Sequence, residues 1–403
     1  STLPPETMKW VRAAAEDLKA ANGACAVVVG RWQSPMVHAL ANAIHTRLRS
    51  VGKAVKYTAP IEAVPTSQTE AIQRLGAEMK AGKVETLVIL GGNPVYNAPA
   101  DTDFAGGLAK VKNRIHCGLY IDETAKLCNY HIPEAHFLEQ WSDTRAYDGT
   151  VSLVQPLIAP LYAGRSYHEV MAALLGQSTS GYDIVRAQWK AKAGSDFEKF
   201  WTTALNDGFI ASTASAEKRL SVRAESGWAK VVRTTKTDAL EIVFRPDPTI
   251  FDGRFSNNGW LQELPKPITK LTWDNAAYMS PALAKQLGLQ NEMVVRVVSG
   301  EKSVEAPVWI TPGQAENTVT FSLGYGRLDA GKLGNGTGFN AYPFRSTKAV
   351  WSLAGAEISK VGRKYSLACT QSHHSMEGRP IVRTANLEHH KAHPHWTHLH
   401  EHI

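Results

Sequence analysis

Three groups of residues have the types and spacing to do chemistry. The first is Gly91-Gly92-Asn93-Pro94, directly after the apolar run Thr86 to Leu90. Glycines at the carboxyl end of a strand let backbone N–H groups approach a phosphate, and ligands of open α/β sheets bind at that edge. A tight strand-exit turn would have the same composition. The second group is Asp122, Glu123, His131, His136 and Glu139. Asp122 and Glu123 would cap the next helix. Two histidines five apart across a proline do not share a helix face, and the H-E-x-x-H spacing of a zinc helix is absent. The third group lies near the end: Cys369, His373 and His374 as weak metal ligands, Glu377 and Arg379 as salt-bridge formers, and histidines at 389, 390, 393, 395, 398, 400 and 402. A segment laid over another surface, or a polar end, accounts for the same residues.

Several chemistries are excluded outright. There is no G-x-S-x-G elbow, no P-loop and no G-x-G-x-x-G fingerprint. The four cysteines, Cys25, Cys117, Cys128 and Cys369, are too scattered for an iron–sulfur ligand set. Cys117 lies in a buried strand pattern, and in an oxidising compartment it could pair with Cys128.

The elements that must position these groups can be read from periodicity. Residues 1–178 alternate apolar runs with helical patterns. The runs are 24–30, 54–58, 86–90 and 115–121; the helices begin near Leu3, Ser34 and Ser67 and stop at Gly23, Gly52 and Gly82. This predicts a doubly wound, mainly parallel sheet. Residues 179–238 read as a helical connection, with Trp189, Phe197, Phe200 and Trp201 on the strongest helical pattern. From Ala239 to about residue 360 the period turns toward two, with strands at 240–244, 294–298, 303–306, 307–310 and 318–321. One helix, capped by Ser280 and stopped by Gly288, interrupts them, and many short strands with one helix predict a small closed barrel. Residues 361–403 show no core pattern and read as an extended tail.

Composition bounds the rest. The chain has 403 residues, 43% apolar and 20% charged, enough for two or three packed domains. No apolar run reaches the length of a membrane span. The net charge is +7, but the basic residues are spread along the chain, which argues against a nucleic-acid partner.

The pattern resembles molybdopterin oxidoreductases. Val29 to Leu40, the Leu87 to Pro99 stretch with its GGNP loop, Asp122 to Glu139, and Asp148 to Pro156 carry the likeness in the α/β part. Trp273 to Gly288 and Val294 to Ile310 resemble the C-terminal double-psi barrel of that superfamily. The stretches His136 to Asp143, Gln155 to Tyr162 and Thr370 to Arg379 are similar to the large iron–sulfur subunit of bacterial alternative complex III, a quinol-oxidising respiratory assembly. The resemblance implies a non-catalytic scaffold half on the periplasmic side of the inner membrane, followed by a ferredoxin-like half that carries iron–sulfur clusters. Membrane and haem subunits would be its further partners. It implies no cofactor in this chain, with Gly91, Gly92 and Asn93 as a vestigial pterin loop and Arg379 as a contact to the ferredoxin-like half. Two alternatives are an active molybdopterin-binding oxidoreductase, with those three residues cradling cofactor, and a histidine-rich metal-binding protein.

Overall fold

A computed structural model describes residues 3–220, 239–370 and 383–398. Its α/β part holds a three-stranded parallel sheet of β1 (Thr86–Leu90), β2 (Asn113–Gly118) and β3 (Tyr130–Pro133), in that spatial order. Alternation along β1 divides its side chains between two faces. Leu87 and Ile89 pack with Met79, Phe104, Leu108 and Val111, the first from helix α3 (Gln68–Lys80) and the others from around α5 (Phe104–Leu108). Val88, Ile115 and Ile132 line a groove on the other side, beside α7 (Tyr167–Leu174). Two short helices, α4 (Pro94–Asn97) and α6 (Glu123–Lys126), begin just beyond the carboxyl ends of β1 and β2.

Two predicted strands are not strands. Residues 24–30 run from α1 (Pro5–Ala20) toward α2 (Pro35–Arg47) without ladder pairing. The Val27 N–H is donated to His45 Nε2 at 2.9 Å, so a side chain of α2 takes a donor that a sheet would use. Cys25, Val27, Val29 and Gly30 are no more than half-buried, and Val28 is 91% exposed. Residues 54–58 make a single bridge, Val51 to Val55, because Val55 N–H closes a turn onto the Ser50 carbonyl. Helix α1 has the expected proline start and buries no side chain.

A second sheet, antiparallel, joins β4 (Ser142–Arg145), β5 (Val151–Val154) and β6 (Phe209–Ile210). Helices α8 (Gly181–Lys190) and α9 (Phe197–Asp207) cover it. Trp189, Phe197 and Trp201 fill that core with Val151, Leu153 and Ile210, so the helical stretch read from the sequence has its apolar partners in the hairpin before it and in β6 after it.

The C-terminal part is a closed barrel of six strands: β7 (Leu240–Arg245), β8 (Ala277–Met279), β9 (Met293–Ser299), β10 (Lys302–Ile310), β11 (Thr318–Ser322) and β12 (Ser352–Lys364). Their order around the barrel is β10-β8-β11-β7-β12-β9. The runs 303–306 and 307–310 are one strand, continuous through Pro307. Helix α10 (Gly259–Glu263) precedes β8. Helix α11 (Pro281–Leu287) sits where predicted, with Ser280 Oγ accepting the Leu283 N–H at 3.1 Å. Ile242, Phe244, Met279, Val295, Val308, Val319 and Phe321 are wholly buried inside.

The expected tail from 361 is in part structure. Strand β12 continues to Lys364, Leu367 is buried, and Cys369 bridges to Leu271. Asn386 caps a short helix, α12 (Leu387–Ala392). His373, His374, Glu377 and Arg379 lie outside the described residues.

Candidate functional site

The carboxyl ends of β1, β2 and β3 open onto a cavity of about 230 Å³, and loops of the barrel part close its far side. Gly91 and Gly92 leave β1, Leu119 and Tyr120 follow β2, and Glu134 follows β3. Asp252, Arg254 and Arg327 face them from the barrel part. A doubly wound sheet places ligands at this edge, and here the edge meets a second wall.

Both glycines adopt positive φ, +68° at Gly91 and +75° at Gly92, which costs glycine little and other residues much. A Cβ on Gly91 would lie 2.4 Å from the Tyr167 hydroxyl, so that hydroxyl fills the space over the first glycine. A Cβ on Gly92 would meet nothing within 4 Å. Asn93 is buried and spent on the protein itself. Its Oδ1 accepts from Thr124 N–H at 3.1 Å and Thr124 Oγ1 at 2.7 Å, while its Nδ2 donates to Glu123 at 2.6 Å.

Glu123 is the centre of the contact between the two walls. Arg327 Nε donates to Glu123 at 2.9 and 3.1 Å, and Nη2 donates at 2.7 Å. The N–H groups of Leu328 and Asp329 add bonds of 3.0 and 3.1 Å to the same carboxylate. Arg327 Nη1 donates to the Gly253 carbonyl at 2.7 Å, and the guanidinium carbon stands 4.8 Å from the centre of the Tyr96 ring. Burial by itself would raise the Glu123 carboxyl. The Arg327 and Asn93 hydrogen bonds outweigh it and hold the group at about 2. Tyr96 OH donates to the Tyr325 carbonyl at 2.7 Å, and Asp101 accepts from Thr347 N–H at 2.9 Å. Lys126 pairs with Asp329 across the same boundary.

A histidine pair lies beneath the loop. His116 on β2 and His131 on β3 are register partners, with Nδ1 atoms 3.2 Å apart. His116 Nε2 lies 3.2 Å from the Gly92 carbonyl, which only accepts, so Nε2 carries a proton. In the neutral pair His131 Nδ1–H therefore donates to His116 Nδ1. Burial and the neighbouring His116 push His131 below its usual range. Burial raises Glu134, which shares a hydrogen bond with Tyr167, and it pushes the Cys117 thiol up to about 11.

The predicted residues are thus divided. Gly91, Gly92, Asn93, Asp122 and Glu123 meet at one edge, and Asp122 Oδ1 caps α6 through the N–H groups of Thr124 and Ala125. His131 pairs with His116, while His136 accepts the Leu138 N–H at 3.3 Å. Cys117 and Cys128 are free thiols. Cys369 lies against the Thr269 carbonyl, and no group of three or more metal-binding side chains occurs among the described residues. Sequence reasoning missed His116, Glu134, Tyr167, Arg254 and Arg327. An in-register pairing of the two strands would have exposed His116; nothing local marks Arg327.

Residues 258–350 match the family model described as molydopterin dinucleotide binding domain. That span runs from the Asn258 cap of α10 through β11, leaving β7 and β12 outside it. A search of curated proteins finds the "menaquinone reductase, molybdopterin-binding-like subunit" of Nitratidesulfovibrio vulgaris, 27% identical over 311 residues. The alignment covers 70% of this chain and 43% of that protein, so the chain spans less than half of the relative's length. Among solved structures, acetylene hydratase from Pelobacter acetylenicus aligns over 72% of this chain and 46% of its own, with a TM-score of 0.50 and 13% identity, a likeness of fold. Together these findings support the molybdopterin oxidoreductase superfamily.

The residues present do not fit a pterin dinucleotide with its anionic pyrophosphate. Three carboxylates (Asp122, Glu134 and Asp252) line the cavity against two guanidiniums, a fourth, Glu123, is bonded to one of them, and both guanidiniums are spent. Arg327 is committed to Glu123, and Arg254 donates to both oxygens of Asp252 at 2.9 and 2.8 Å. The volume is also below the roughly 300–1,000 Å³ of small-molecule pockets.

Proposed function

We propose that the chain is a non-catalytic scaffold part of a quinone-linked respiratory electron-transfer complex, derived from a molybdopterin enzyme whose cofactor it does not retain. The observation that carries this is the Glu123–Arg327 pair. At the sheet edge where the fold would receive a ligand, the protein's own carboxylate takes the guanidinium that an anionic cofactor would need. The name of the Nitratidesulfovibrio relative, a menaquinone reductase subunit, supports the quinone-linked setting. Membership of alternative complex III, a double-psi barrel, the periplasmic side of the inner membrane and a cluster-bearing ferredoxin-like partner half belong to the same proposal. The sequence resemblance supports them.

The test is made in the assembled complex. Arg327→Ala is expected to lower the amount of complex recovered from membranes while leaving quinol oxidation per assembled complex unchanged. Full assembly with lost turnover would contradict a scaffold role. The match over residues 258–350 favours a second reading, a working molybdopterin oxidoreductase; molybdenum content separates the two.

A further inference from the structure

The cleft spends both of its arginines on its own acids. Where the N-terminal segment meets the barrel, three other arginines have no such partner. Arg31 follows the apolar run 24–30, Arg245 ends β7, and Arg345 lies between β11 and β12. Aromatic rings tie them into one cluster. The Arg31 guanidinium carbon stands 5.6 Å from the centre of the Phe251 ring and 5.9 Å from that of Trp351. Arg345 faces the same Trp351 ring at 5.1 Å. Trp32, the next residue after Arg31, carries Arg245 at 4.5 Å.

Among the described residues none of the three forms an ion pair, and the Arg31 side chain makes no hydrogen bond. Arg345 Nε donates to the Val350 carbonyl at 2.7 Å, and Arg245 Nη1 donates to the Phe244 carbonyl at 3.0 Å. Each bond fixes a fork and leaves its other N–H groups unspent. Two acids act on the cluster from a distance: Glu241 on Arg245, and Asp252, already matched by Arg254, on Arg345. Burial lowers Arg245 and Arg345, whereas the hydrogen bond to Asp252 raises Arg254. Like charges gathered and partly desolvated repel one another, and an anion placed among them relieves that cost. Stacking uses the flat faces of the guanidiniums and leaves their donor edges for carboxylates.

We infer that this patch docks an acidic polypeptide segment of a partner, whose carboxylates meet the unspent edges of Arg31, Arg245 and Arg345. Complementary charge selects the occupant. Two features favour a polypeptide over a small anion. Arginine and tryptophan together are the residues on which protein–protein binding energy concentrates. The three guanidiniums are also parted by the Trp32 and Trp351 rings, which suits several carboxylates along a chain better than one compact group. The inference deepens the scaffold reading and rests on it in one respect, that the segment belongs to another polypeptide of the same assembly.

The full chain, labelled with heavy nitrogen at its tryptophan indoles, would be titrated with the peptide acetyl-EFEGE-amide and with its neutral counterpart acetyl-QFQGQ-amide. Shifts at the Trp32 and Trp351 indoles are expected, with the acidic peptide bound about tenfold more tightly than the neutral one. Arg31 is exposed, so Arg31→Gln keeps the fold, and it should weaken the acidic peptide by about the same factor. Equal binding of the two peptides, shifts confined to other indoles, no binding, or full binding by Arg31→Gln would overturn the proposal. Inorganic phosphate shifting the same indoles as strongly at equal concentration would make the patch a small-anion site. Phosphatidylglycerol vesicles that pellet the wild-type chain but not Arg31→Gln would make it a membrane contact; either result also overturns it. A positive molybdenum analysis would sink the scaffold reading without altering this titration.

Discussion

The barrel and the N-terminal segment differ in how much of their structure they secure for themselves. Six barrel strands close on one another, so each has two neighbours and every inward side chain is covered. Helix α1 buries nothing, Trp10 is 71% exposed, and the apolar run 24–30 makes no ladder. A closed sheet satisfies its backbone internally, whereas a helix or lone extended segment depends on what it is packed against. The contrast teaches where this chain is self-sufficient and where it offers surface.

The largest test of that contrast is in the core and at the boundary. Phe321→Ala should cost about 3–5 kcal/mol in denaturant unfolding, because Phe321 is wholly buried against Phe339 and Phe344. Trp10→Ala should stay within about 0.5 kcal/mol; a comparable loss at both positions would erase the distinction. Arg327→Ala strands a buried carboxylate and should cost about 3–5 kcal/mol, measured as separation of the two walls by hydrogen exchange. Lysine at 327 should not restore it, since the bidentate geometry needs a planar fork.

Acid should act through the same pair. Glu123 is held at about 2, below its unfolded value of 4.5, so its stabilisation is fully present above pH 4.5. It is lost as pH falls from there toward 2. Wild type and Glu123→Gln should therefore converge in stability over that window, and a constant gap down to pH 2 would contradict the assignment. The smallest effect is at Tyr96→Phe, which deletes one neutral hydrogen bond to the Tyr325 carbonyl and should cost about 0.5–1.5 kcal/mol in thermal unfolding.

What could be read in advance follows the same division. Period-two runs gave β7, β9, β10 and β11, and the Ser280 and Gly288 signals gave α11, because these depend on residues close in sequence. Strand β8 is only three residues long, and the apolar alternation of β12 is interrupted by glycines and charges, so neither stood out. The run 24–30 has the composition of a buried strand, but His45 takes one of its donors. At the site, the GGNP loop and Asp122–Glu123 carried local signals. Arg327 lies 204 residues from Glu123, and only the folded chain brings them together.

The central claim is that this cleft is occupied by the protein's own groups and serves as structure. Molybdenum and pterin content of the purified full chain, expressed in cells that make the cofactor, tests it most directly. The account predicts molybdenum and oxidised-pterin fluorescence at background. One molybdenum and its pterin per chain, lost together in Gly92→Val, would contradict it.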